Sequence, residues 1–98
     1  MDGRTPAPPT RPDLYVVARF LDRLNRPHAH YTRSRLQMAV RLNYDLFRSY
    51  LEWLRAKGLI EIVQTPEEKE IFVLTAAGRE AHQQLVGWIE RVLGETLR

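Results

Sequence analysis

The segment from Asn43 to Leu74 constrains the chain most, because it sets a one-sided helix directly against a hairpin with almost no connecting residues. Phe47, Tyr50, Leu51 and Leu54 recur at the spacing of three and four that gathers side chains on one face of a helix. Asn43 stands where a helix-capping side chain is needed. Gly58 stands where the helix must stop, since glycine enters the left-handed conformation without steric cost. Gly58 also opens GLIEIVQTPEEKEIFVLT, in which two branched and aromatic runs, Leu59 to Gln64 and Glu70 to Leu74, flank Thr65-Pro66-Glu67-Glu68-Lys69. That pattern predicts a β-hairpin with a five-residue loop. The side of the helix opposite its apolar stripe holds Asp45, Arg48, Ser49, Glu52 and Ala56, and it is expected to face outward.

Upstream, Thr32 is placed as the cap of a shorter helix whose inward residues are Leu36, Ala39 and Val40. Only Arg41-Leu42-Asn43 separates it from the next helix, a brief turn without glycine in which Leu42 is expected to point inward. Earlier still, Asp13 caps a helix with Leu14, Val17, Leu21 and Leu24 on one face and Val16 and Phe20 beside it, ended by Asn25-Arg26-Pro27. His28-Ala29-His30-Tyr31 reads as the loop into Thr32. Its two histidines have no third ligand nearby, so no metal is expected. Three helices followed at once by a hairpin predict an α+β, mainly α, winged helix-turn-helix with a three-helix core and a two-stranded wing.

Thr75 then caps a last helix that can run from Ala76 to about Leu97, roughly 33 Å at the helical rise. Ala81, Leu85, Val86, Trp88, Ile89, Val92, Leu93 and Leu97 spread over close to half its circumference, more than one packing surface needs. One edge is expected on the domain. Leu85, Trp88, Ile89, Val92 and Leu93 are expected at the interface of a two-fold homodimer, the other possibility being a helix folded wholly onto its own domain.

Composition limits the rest. The 98 residues make one domain, and no apolar run approaches the roughly 20 residues that span a bilayer. The opening residues lack the apolar centre of a secretory leader and the chain has no cysteine, which together fit a cytoplasmic protein. Residues 1–12, with four of the six prolines, read as a flexible tail, residues 13–75 as the winged domain and residues 76–98 as the dimerisation helix. No nucleophile, carboxylate pair or glycine-rich phosphate loop stands in a recognisable setting, so neither an enzyme nor a cofactor is expected.

Charge is distributed unevenly. Residues 19–57 carry nine lysines and arginines against three acids, whereas residues 58–98 carry four against seven. Such asymmetry suits one face made for a polyanion. The hairpin tip goes the other way, with Glu67, Glu68 and Glu70 against Lys69 alone, so the wing is expected either to stand off from such a partner or to leave Lys69 as its only contact.

Leu42-Asn43-Tyr44-Asp45, Tyr50-Leu51, Leu54, Lys57-Gly58-Leu59-Ile60 and Leu74-Thr75-Ala76-Ala77-Gly78-Arg79-Glu80 together resemble the archaeal winged-helix DNA-binding proteins and predicted transcriptional regulators. The likeness covers about residues 14–97. It implies a homodimer joined through the C-terminal helix, with two third helices in successive major-groove segments of double-stranded DNA. On that basis Arg33 and Arg35 would meet phosphates, and Arg48 would read a base. Asn43, Tyr44 and Ser49 would lie at the boundary, with Arg55 and Lys69 adding charge. A winged-helix adaptor that binds protein through the last helix and Trp53 or Trp88, without touching DNA, is the alternative; Trp53 itself is read as covering the edge of the core.

Overall fold

The structure is a computed structural model that describes residues 11–95. The expected tail lies outside these residues except for Arg11 and Pro12, as does Leu97. Helix α1 (Leu14–Leu24) begins where Asp13 accepts the Tyr15 amide at 2.9 Å. It buries Val17, Ala18, Phe20, Leu21 and Leu24. Leu14, expected on that face, is exposed, because it lies a turn before the first buried residue and projects past the edge of the core.

Helix α2 (Arg33–Val40) departs from expectation at its start. Thr32 has the extended backbone of a cap, but its side chain makes no capping hydrogen bond and only its carbonyl takes part, accepting from Leu36. At the other end Arg41 adopts the left-handed conformation at φ 58°, doing the work a glycine often does. Two side chains hold this costly turn. Arg19 of α1 donates to the Val40 carbonyl at 2.8 Å, and Gln37 donates to the Leu42 carbonyl at 3.3 Å.

Helix α3 (Tyr44–Ala56) starts at Asn43, whose side chain accepts the Leu46 amide at 2.9 Å. Leu42 and Phe47 hold the positions of a hydrophobic staple, and Leu42 packs against the cluster that contains Phe47. The rings of Phe47 and Tyr50 stack with Phe20 of α1 at centroid distances of 5.8 and 6.3 Å. Leu36, Val40, Leu51, Leu54, Ile60 and Phe72 complete this core, and Trp53 packs on its edge as expected.

Strands β1 (Ile60–Gln64) and β2 (Glu70–Leu74) pair antiparallel, from Ile60 opposite Leu74 to Gln64 opposite Glu70. The loop between them closes on itself. Thr65 donates its amide to the Lys69 carbonyl at 2.8 Å, and its hydroxyl accepts the Lys69 amide at 3.0 Å. Tyr31, expected in a loop, instead bridges to β2, its carbonyl accepting the Phe72 amide at 2.9 Å. One residue is too short a run for strand periodicity to show.

Helix α4 (Ala76–Trp88) begins at Thr75 and packs on α1, where Ala18, Val86 and Ile89 form a second buried cluster with Leu85 against it. His82 and Asp22 tie the two helices at 3.2 Å. The expected continuous α-helix to Leu97 is corrected here: α-helical geometry ends at Trp88, a π-helical turn covers Ile89–Leu93, and Gly94 turns left-handed at φ 67°. Gly94 acts as a stop where the apolar pattern alone asks for continuation. No helix among the described residues is long and apolar enough to cross a membrane.

Candidate nucleic-acid interface

The turn at Arg41 aims the first turn of α3 outward, leaving Tyr44, Asp45 and Leu46 exposed. Asn43 is exposed too, with its side-chain oxygen already engaged by the Leu46 amide, so it shapes the site by fixing the helix start. Arg48 is half-buried, its guanidinium carbon 5.4 Å from the centre of the Tyr44 ring. Such a contact orders both side chains. Ser49 is corrected: it is only 8% exposed, although the helical wheel sets it opposite Phe47. Burial extends around this side of α3 beyond the apolar stripe, since the hydroxyl of Tyr50, its neighbour, accepts the Asp13 amide at 2.8 Å and draws in the start of α1.

Arg33 and Arg35, in the first turn of α2, are both exposed. The Arg33 guanidinium carbon lies 5.4 Å from the centre of the Phe72 ring, which fastens α2 to the wing while leaving the side chain at the surface. Arg55 is exposed on α3 with Glu52 at 4.0 Å, too loose and too solvated to neutralise it firmly. Lys69 is exposed at the wing tip among exposed Glu67, Glu68 and Glu70. The structure thus joins Arg48 to Tyr44 and Arg33 to the wing. Arg41 and Lys57, counted among the cations of the helical part but not expected at the site, are exposed as well, the latter 5.8 Å from the centre of the Trp53 ring. Exposed apolar residues of α2 and α3 also escaped the sequence reading, Met38 and Leu46 among them. Met38 stands opposite the stripe formed by Leu36 and Val40, which is the signal that could have found it, whereas Leu46, four residues before buried Tyr50, falls at the edge of the α3 stripe and carries no such signal.

The residues expected at a dimer interface divide. Trp88, Val92 and Leu93 are exposed. Ile89 is 3% exposed within the protomer, packed with Ala18 and Val86, and Leu85 is half-buried against both core clusters. For these two the first helix of the same chain is the partner. Beyond the π-helical turn, Glu95 accepts the Tyr15 hydroxyl at 2.5 Å, and this hydrogen bond holds the phenol above its ordinary range. His28 and His30 are exposed, and among the described residues no group of three or more histidines or acids is placed to hold a metal ion.

The profile of the winged helix-turn-helix family matches residues 11–91, from the approach to α1 into the π-helical turn. No curated protein matches. Among solved structures, the chain is similar to the crystal structure of Sso10a-2, a DNA-binding protein from Sulfolobus solfataricus. The identity is 18%, the TM-score 0.65, and the match covers 82% of this chain and 80% of that one. At that identity the likeness is one of fold. With its core, its wing and most of its last helix inside the family match, the chain belongs to the winged helix-turn-helix family.

Proposed function

We propose that this chain binds double-stranded DNA as a homodimer, with α3 in the major groove, and acts in the cytoplasm as a transcriptional regulator. The observation that carries the reading is the exposed first turn of α3, set by the Arg41 turn directly after a helix whose own first turn exposes Arg33 and Arg35. An α-helix with its side chains is about as wide as the major groove. Arginines flanking the inserted helix then meet phosphates and release the counterions condensed on them, which supplies affinity regardless of sequence. Arg48 braces Tyr44, and Asp45 beside it is an acceptor suited to a cytosine amino group. The acidic wing tip is repelled by phosphates and stands off, leaving the helices to meet the duplex. Membership of the winged helix-turn-helix family and the fold shared with a DNA-binding protein support this reading.

Exposed Trp88 at the end of α4, with Val92 and Leu93 in the π-helical turn that follows, supports the homodimer, since together they offer an aromatic anchor and two aliphatic neighbours to a symmetric contact. Fluorescence anisotropy of labelled duplex DNA over a range of salt concentrations tests the function. Binding that weakens linearly in log salt is expected. A chain that leaves every duplex unbound in dilute buffer would overturn the proposal.

A further inference from the structure

Leu46 lies in the first turn of α3 and is 41% exposed, where neither the core nor the helix cap accounts for it. The helix packs inward through Phe47, Tyr50, Leu51 and Leu54. Leu46 holds the third helical position, where a glutamate or glutamine completes the reciprocal cap with a residue such as Asn43. An acidic group there is also favoured by the helix dipole. Leucine forgoes both gains. Its backbone is nevertheless fixed, because its amide donates to the Asn43 side chain at 2.9 Å. On the preceding helix Met38 is 78% exposed, so the outer side of the two-helix unit carries apolar groups as well as arginines.

We propose that Leu46 is a specificity-determining residue that covers the 5-methyl group of thymine in the major groove. The proposal rests on the DNA-binding reading above. Base edges in that groove are hydrogen-bond donors and acceptors, apart from the thymine methyl, which only an apolar side chain rewards. A leucine laid against it removes both groups from water. The Tyr44 ring has Arg48 against one side, so the turn that enters the groove presents a braced aromatic ring, the carboxylate of Asp45 and the apolar end of Leu46. That set distinguishes thymine from uracil, which differ by the methyl alone.

The test compares an A·T duplex with the same duplex in which every thymine is replaced by deoxyuridine, by fluorescence anisotropy at one salt concentration. The parent chain is expected to bind the thymine duplex tighter by about fourfold for each methyl covered. Leu46→Ala should bind both duplexes alike, with the parent's affinity for the deoxyuridine form, and Leu46→Met should keep the preference. A parent that binds both duplexes equally, or a Leu46→Ala variant that retains the preference, sinks this inference and leaves DNA binding standing. A parent that binds neither duplex removes the DNA-binding reading and this inference with it.

Discussion

The hydroxyl of Thr75 donates to the carbonyl of Gly58 at 2.6 Å while accepting the amide of Gly78 at 3.0 Å, so one side chain fastens the end of α3 to the start of α4. The Thr75 amide adds a third bond, to the Leu59 carbonyl at 3.1 Å. Lys57-Gly58-Leu59-Ile60 and Leu74-Thr75-Ala76-Ala77-Gly78, which sequence presents as separate motifs, are two halves of one joint that closes around the wing. Thr75→Val keeps the shape of the side chain and removes both hydroxyl bonds. It is predicted to destabilise the chain by about 1–2 kcal/mol, the upper range for removing a helix cap. Thermal unfolding followed by circular dichroism checks this, and an unchanged midpoint would show the joint to be energetically idle.

The same joint separates two glycines of α4. A Cβ built on Gly78 falls 2.0 Å from the Leu59 carbonyl oxygen, whereas one on Gly87 meets only the Arg91 guanidinium at 3.7 Å. Gly78→Ala must push the strand and helix apart and is predicted to cost about 1–3 kcal/mol or more. Gly87→Ala removes backbone freedom from the unfolded chain without a clash and should stabilise by about 0.5–1 kcal/mol. Chemical denaturation of the two variants should therefore move the midpoint in opposite directions; a shift of the same sign in both rejects the packing described.

Much of the fold was legible because local signals agreed with one another. Asp13, Asn43 and Thr75 cap their helices as their positions suggested, and the hairpin spans the expected residues. What escaped was set by tertiary contact. Tyr31 joins β2 through a single backbone pair, Ile89 is claimed by Ala18 across two helices, and Ser49 is buried beside Tyr50, where the start of α1 is tied. None of these depends on a periodicity within one segment. The candidate site was legible at the level of charge, through Arg33 and Arg35, but the stacking of Arg48 on Tyr44 and the exposure of Leu46 needed coordinates.

The link from Tyr15 to Glu95 gives a titration signature. Because the phenol donates to a carboxylate, its folded-state pKa lies above the ordinary 10.0, with slight burial and the charges of Glu95 and Asp13 acting in the same direction. A raised pKa means the folded chain holds this proton more tightly than the unfolded one. The associated stability is present below pH 10.0 and is lost as pH rises through the folded value. Following the Tyr15 ring by NMR against pH should show ionisation above 10.0, and Glu95→Gln should lower it toward that value. Coincident titrations of parent and variant would mean that the hydrogen bond does not persist in solution.

The proposed homodimer predicts a variant at the junction of α4 and the π-helical turn that loses assembly without losing its fold. Trp88→Ala removes the aromatic of the exposed Trp88, Val92 and Leu93 group, while Ile89 and Val86 continue to hold the helix on α1. Sedimentation equilibrium should find the dimer constant weakened by about 2 kcal/mol or more, on the order of 30-fold, with an unchanged circular dichroism spectrum. Parent and variant that both sediment as monomers at high concentration would exclude this surface as the dimer contact.

Arg33 and Arg35 test the electrostatic share of DNA binding. Both are exposed in the first turn of α2, and neither is among the buried residues that hold the core. Replacing either with alanine is predicted to weaken binding to all duplexes by a similar factor. It should also flatten the dependence of log affinity on log salt by about one unit for each phosphate no longer neutralised. Asp45→Ala, on the exposed turn of α3 proposed to enter the groove, should instead change the ranking of sequences. Removing an acid near phosphates raises affinity overall, and removing a cytosine acceptor lowers it for the sites that used it. Anisotropy titrations against a panel of duplexes at several salt concentrations separate the two classes. A panel ranking altered by Arg33→Ala and untouched by Asp45→Ala would reverse the assignment, making α2 the reading helix.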